Sequence, residues 1–306
     1  MKKIVVHIGA NKTASTTLQR CLFSQHDGLD YLGHDGQGFE RYGDLVTSLT
    51  NDDDLYFPRE RCVDLFENYR NKNSRKTLLY SDEDIMTSHV PTVCARRLYE
   101  FFPEAEILIV VRNQMTAIPS YYANHGVHLR PAPPPHFRRY VSLDDWMNYC
   151  QMFISRSPLA GFFYNRILCL YAELFGKDRI HVLFFEEFVK DKRSFVDKLC
   201  QIINIDSESA MNLLAEAHER KRRSGREIEY LKFRNKFFWG VPVLKWAPGG
   251  DWLAKRIQSF LESGSPAKVQ LTDHWKEKIT EMYSEDNKKF AQNFSLDLKK
   301  YNYPMN

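Results

Sequence analysis

A doubly wound α/β fold, a central parallel sheet flanked by helices, is predicted by three observations. Four short apolar runs occur along the chain, none shows clean period-two alternation, and segments of helical periodicity lie between them. Continuous apolar runs suit central strands covered on both faces, where alternation is not needed. The order β-α-β-α-β-α-β then argues for one parallel sheet.

The runs are residues 4–8 (IVVHI), 77–81 (TLLYS), 106–112 (EILIVVR) and 180–185 (IHVLFF). Helical periodicity covers residues 91–102, 162–175 and 194–203, and Gly176 follows the second of these as a C-terminal cap. Residues 27–61, rich in Gly and Asp, break the pattern and read as a surface insertion. Residues 123–142 read as another, with four prolines and three arginines in LRPAPPPHFRRY. A helical C-terminal region follows at about 207–306, and the whole chain, 1–306, is expected to be one domain.

The chain has 306 residues, 43% hydrophobic and 14% aromatic, enough for a substantial core. Its 43 basic and 39 acidic residues leave a net charge of +4, a mixed surface that gives no bulk attraction to nucleic acid. Anion binding must therefore be local. Cys21, Cys62, Cys94, Cys150, Cys169 and Cys200 form no C-x-x-C pair and read as reduced. No apolar run approaches the roughly 20 residues of a membrane span, and MKKIVV reaches Gly9 without a leader-type apolar stretch. A cytoplasmic protein is expected, with the inner face of the membrane as an alternative.

The loop after the first run, IGANKTASTTLQ at residues 8–19, sits at a strand-to-helix turn. Such turns present backbone N–H groups and a helix N-terminus to phosphate or sulfate. Lys12 adds a mobile charge, and Thr13, Ser15, Thr16 and Thr17 add hydroxyls. The stretch fails the G-x-x-x-x-G-K-[ST] pattern, because Lys12 follows Gly9 by three positions and no glycine precedes it. The bland reading is helix capping with a solvated lysine. A second anion site follows the third run, where Arg112 stands at the strand end and Ser120 eight residues on. Alone, Arg112 would read as a surface ion pair.

Together these segments resemble a known family. HIGANKTASTT is similar to the 5′-phosphosulfate loop of sulfotransferases that use 3′-phosphoadenosine 5′-phosphosulfate (PAPS), and VVRNQMTAIPSYY to their 3′-phosphate segment. LYAELFGKDRIHVLFFEEF resembles a later strand of the family, and RKRRSGRE, residues 220–227, its late basic segment. The resemblance covers about residues 1–230 and is closest to bacterial and carbohydrate sulfotransferases. It implies a P-loop NTPase-like fold, PAPS as co-substrate with PAP as product, and no metal. It also implies that Lys12, Thr13, Ala14, Ser15, Thr16 and Thr17 hold the 5′-phosphosulfate and that Arg112 and Ser120 hold the 3′-phosphate. Arg222 and Arg223 would line the nucleotide, or form part of a solvated helix face with Arg220, Lys221 and Arg226.

Two departures stand out: Ala14 occupies a position commonly glycine, and Gln114 one commonly proline. Alanine fits there only if that residue does not need positive φ.

An acceptor hydroxyl needs a general base. The second run ends in Asp82, Glu83 and Asp84, and sugar-directed members of the family place a glutamate near this point, so Glu83 is the expected base. Asp82 and Asp84 read as a solvated turn or helix N-terminus. His89, His125 and His128 are the alternatives to Glu83, and Glu186 reads as structural. The implied reaction is sulfuryl transfer to a hydroxyl, on a saccharide or glycolipid acceptor by the resemblance. An atypical P-loop kinase and a non-catalytic nucleotide- or membrane-surface-binding protein are the other classes. Residues 236–256 interleave Trp239, Trp246 and Trp252 with lysines, which reads as core packing or as a peripheral membrane contact.

Overall fold

The computed structural model describes residues 2–33, 43–45, 47–50, 52–71, 75–126, 140–216, 224–238, 250–265, 267 and 269–305. They fall into two compact units. One comprises Met1–Ala117, Ser155–His218 and Glu277–Asn306, the other Ile118–Ile154 and Glu219–Lys276.

The first unit holds a five-stranded sheet in the order β2-β3-β1-β4-β5, made of β1 Ile4–His7, β2 Leu29–Gly33, β3 Thr77–Ser81, β4 Glu106–Val111 and β5 Ile180–Phe184. Every pairing is parallel. The absence of alternation has the expected cause, since side chains of successive residues enter two different apolar layers. Val5, Leu79, Leu108, Val110 and Leu183 belong to a core shared with Leu18, Leu22 and Phe23, and with Phe195, Val196, Leu199 and Ile203 of helix Lys192–Ile203. On β3, Tyr80 meets Phe66 of helix Arg59–Arg70 at 6.1 Å between ring centroids, and Phe102, just past helix Pro91–Phe101, at 6.3 Å. Each such side chain taken fully from water contributes about 1.5–3 kcal/mol, so the two layers hold the sheet rather than strand propensity.

The strand β2 corrects the reading of residues 27–61 as insertion, because the edge of the sheet is built there. An edge strand has one partner and needs less apolar surface, and only Leu29, Leu32 and Gly33 of LDYLG are buried. Lys2 pairs with Asp30 at 2.6 Å, and Gly33 passes so close to β3 that a Cβ would lie 2.3 Å from the Ser81 carbonyl oxygen. Helical turns at 43–45 and 47–50 and helix Arg59–Arg70 complete this connection.

The other expected elements lie within two residues of their predicted ends. Helix Tyr164–Phe175 stops at Gly176, whose φ of 91° and N–H bond to the Ala172 carbonyl (3.0 Å) explain the glycine. Because the strands are parallel, the segments after β1, β3, β4 and β5 share one rim of the sheet, the edge where open α/β sheets bind ligands.

The second unit is helical. Helix Leu143–Met152 starts at Ser142, whose hydroxyl accepts the Asp145 N–H, and carries Trp146 against Tyr121 and Tyr122. Helix Gly225–Phe238 begins with a reciprocal capping box: Ser224 N–H donates to Glu227 at 2.7 Å, and Glu227 N–H donates to the Ser224 hydroxyl at 3.0 Å. Helix Gly250–Glu262 also belongs to it.

Candidate active site

The turn after β1 is tied to β4 through Ile8 N–H to the Leu108 carbonyl (3.0 Å), Ala10 N–H to the Val110 carbonyl (3.1 Å) and Val110 N–H to the Gly9 carbonyl (3.1 Å). Three of its residues have positive φ: Gly9 at 93°, Lys12 at 67° and Ala14 at 65°. Ala14 thus does not meet the condition under which alanine fits this position without strain. Its left-handed backbone costs about 1–2 kcal/mol against the right-handed form, a strain glycine would not carry. Thr13 is buried and spends its hydroxyl proton on the Ala10 carbonyl at 2.5 Å, so its hydroxyl shapes the loop. Ser15 is 3% exposed and opens the helix Ser15–Thr17, which continues into wider π-helical turns over Leu18–Phe23. Lys12, Thr16 and Thr17 are half-buried.

After β3, Asp82 caps the 3-10 turn Glu83–Thr87 by accepting the Asp84 N–H at 2.9 Å. The helix-terminus role matches the expectation, but the expected solvation is corrected: Asp82 is 1% exposed. Burial pushes its carboxyl up to about 8, with the Asp84 charge adding to the shift and the Asp84 N–H bond opposing it. Glu83 accepts a hydrogen bond from the Ser15 hydroxyl. Its backbone also packs on the loop, since a Cβ at Gly9 would lie 2.9 Å from Glu83 Cα. Below this, buried His7 places Nδ1 2.8 Å from the Ser81 hydroxyl, which also accepts from Gln19 Nε2 at 3.1 Å. Burial pulls the His7 imidazole down to about 4 and keeps it neutral.

Asp82 makes stability depend on pH. Its folded value lies above its unfolded one, so its contribution is complete below about 4 and is lost as pH rises towards about 8. Relative to Asp82→Asn, the wild type should lose stability with a slope approaching about 1.4 kcal/mol per pH unit across that window. Urea denaturation of both proteins from pH 5 to 9 checks this, and parallel curves would show that Asp82 titrates as an ordinary carboxylate.

After β4, Arg112 is 8% exposed and is no surface ion pair. Its Nη1 donates to the Lys12 carbonyl at 2.8 Å, its Nε to the Thr116 hydroxyl at 3.0 Å, and its guanidinium lies 4.4 Å over the Phe185 ring. Arg112 thus braces the strained Lys12 backbone. Next to it, the Asn113 N–H donates to Glu186 at 2.8 Å, and Asn113 Nδ2 donates to the carbonyls of Tyr301 and Asn302. Burial raises the Glu186 carboxyl, against the Asn113 bond. Gln114, fully buried, donates to the Phe162 carbonyl at 3.2 Å and to Asn287 at 2.9 Å, a link proline could not make.

The Arg112 brace has a measurable consequence. Arg112→Ala should lower unfolding stability by about 1–3 kcal/mol through the orphaned Lys12 carbonyl and, on the 3′-phosphate role that the sequence resemblance implies, weaken PAP binding by about 1.5–3 kcal/mol, the range for a charged hydrogen bond. Calorimetric titration and urea denaturation read the two effects; unchanged stability would remove the brace, and unchanged PAP affinity the phosphate contact.

The remaining expected residues are placed as follows. Ser120 lies in the second unit, on the helix Gln114–Tyr121, and its carbonyl accepts from Asn124 Nδ2 at 3.4 Å. His125 packs its ring on Tyr121 at 4.9 Å, and His89 is exposed. His128, Arg220, Lys221, Arg222, Arg223, Trp239 and Trp246 lie outside the described residues. Sequence reasoning missed Gly9, Asn113 and buried Asp82. Only Gly9, directly after a strand, carried a signal that could have marked it.

The rim thus brings an anion-type loop, a carboxylate and a buried arginine together within one unit. The sulfotransferase domain family matches residues 1–236, more than half of the chain, and the chain belongs to that family. It is a sulfotransferase, of a family that uses PAPS. The solved structure of a sulfotransferase from Alicyclobacillus acidocaldarius is similar with a TM-score of 0.55 at 14% identity, over 98% of each chain, which supports the fold. The sulfotransferase domain of the Synechococcus PCC 7002 olefin synthase aligns with a TM-score of 0.46 at 14% identity over 97% of each chain. Mouse sulfotransferase SULT7A1, complexed with PAP, aligns with a TM-score of 0.44 at 13% identity over 98% of this chain and 89% of that one. No curated protein matches the sequence. Among the described residues, no helix is long and apolar enough to cross a membrane.

Proposed function

We propose that this cytoplasmic sulfotransferase transfers the sulfuryl group of PAPS to a hydroxyl of a saccharide or glycolipid, with Glu83 as general base. The observation that carries this reading is the seating of Glu83 on the donor loop, where Ser15 donates to its carboxylate. A carboxylate so placed can take the proton of an acceptor hydroxyl that attacks sulfur in line with the departing 5′-phosphate. Lys12 neutralises charge on the leaving and transferring oxygens, while Ser15, Thr16, Thr17 and the turn N–H groups hold the 5′-phosphosulfate. Ala14 contributes its backbone, and Thr13 keeps the loop in shape. Arg112 holds the 3′-phosphate, with Ser120, Arg222 and Arg223 assigned to the nucleotide by the sequence resemblance.

Trp252, 64% exposed with the Arg256 guanidinium 5.2 Å over its ring, is the group we place at a membrane surface carrying a lipid-linked acceptor. Incubation with sulfur-labelled PAPS and fractionated glycans and lipids of the source cells tests the acceptor class. Label is expected in a carbohydrate-bearing fraction, and label confined to small phenols or steroids would overturn it. A thermal-shift panel of PAP, ATP with Mg²⁺ and anionic vesicles should stabilise the protein most with PAP, because a ligand stabilises only the state it binds.

A further inference from the structure

We propose that Ser15 and Glu83 form a latch operated by the donor. Before PAPS binds, the Ser15 hydroxyl holds the Glu83 carboxylate; the 5′-phosphosulfate then claims that hydroxyl, and Glu83 is released as base only in the donor-loaded enzyme. This rests on reading residues 12–17 as the donor loop and Glu83 as the base.

The argument begins with valence. A serine hydroxyl has one proton, and here it points at Glu83 Oε2. It cannot donate to a carboxylate and to a phosphosulfate oxygen at once, so the two acceptors exclude each other. Both backbones are packed in place, which leaves the competition to the side chains. Ser15 is buried at the start of its helix. The backbone at Glu83 is held by its surroundings: the Asp82 N–H one residue before donates to the His7 carbonyl at 3.1 Å, and Glu83 Cα packs against Gly9. Only the Glu83 side chain is left to move, and the incoming anion repels its charge. Because a hydrogen bond to an ionised group is among the stronger ones, the latch keeps Glu83 engaged while the donor is absent. The benefit is chemical order: a base released before the donor arrives has nothing to do.

The test reads Glu83 directly. In protein labelled with ¹³C at the glutamate side-chain carboxyl, the Glu83 resonance is the one missing from Glu83→Gln. Without PAP, the wild-type and Ser15→Ala resonances should differ; with saturating PAP, which brings the 5′-phosphate, they should coincide. Ser15→Thr, which keeps the hydroxyl, should follow the wild type in both states. No difference without PAP, or a difference that persists with PAP, overturns the latch. The wild type alone gives a second reading, since a Glu83 resonance unmoved by PAP also overturns it. Failure of PAP to bind, measured by calorimetry, would instead reject the donor-loop reading and the latch with it; PAP binding with a persistent difference rejects the latch alone.

Discussion

Glu83→Gln should lower turnover by about 10²–10⁴-fold, the usual worth of a general base, while PAP affinity and unfolding stability stay near wild type. The substitution isolates proton transfer. Glutamine keeps the size of the side chain and a carbonyl oxygen that can accept from the Ser15 hydroxyl, so the packing of this residue on the donor loop survives. What it loses is a site for the acceptor's proton. The neighbouring amide variants serve as controls with distinct signatures. Asp84→Asn should change little, and Asp82→Asn should change the pH dependence of stability rather than turnover, because the Asp82 carboxyl is buried and occupied in capping. Steady-state kinetics and PAP titration on the three proteins decide the matter. A fully active Glu83→Gln enzyme would end the assignment and turn attention to His89, His125 and His128.

Lys12→Ala should reduce kcat by about 10²–10³-fold, the cost of removing one donor aimed at charge that develops in the transition state. The structure makes this substitution cleaner than it looks from sequence. Lys12 already has a positive φ, so alanine inherits the same backbone strain, and the carbonyl that Arg112 grips is unchanged. Loop geometry should persist while the ammonium disappears. Affinity for PAP should fall less than turnover, since PAP lacks the transferring group. Single-turnover measurements at saturating PAPS separate chemistry from binding, and wild-type turnover would remove Lys12 from the reaction.

Much of the fold was legible because its central strands are buried on both faces, and such strands write themselves as unbroken apolar runs. The edge strand β2 was not. With one neighbour and a half-wet face, LDYLG needs few apolar residues, and its glycine looked like a turn residue when it was there to let two backbones meet. At the site, residue types were readable and their partners were not. The sequence offers Arg112 as an anion ligand only once its strand-end place is joined to the family resemblance. That it also holds the Lys12 carbonyl depends on 100 intervening residues folding back. Thr13 shows the reverse: a hydroxyl in a hydroxyl-rich loop is counted as a ligand until its proton is found on Ala10. For Ala14 the sequence posed a condition it could not answer, because the surrounding loop and not the residue decides the backbone there, and it is left-handed.

The sheet order also governs how the protein is made. Of the five strands of this sheet the first to be synthesised is the central one, and its partners come late: Ile4 pairs with Leu78 and Val5 with Glu106. At about 5–20 residues per second, translation leaves the first strand waiting roughly 5–20 s for its second neighbour. During that interval IVVH lacks at least one of its two neighbours and is open to chaperones and to other nascent chains. Lys12, Glu83 and Arg112 each follow a different one of these strands, so a polypeptide cut short before Val111 lacks part of the proposed site. Co-expression with a holdase should therefore raise soluble yield more than changes to the surface of the finished protein.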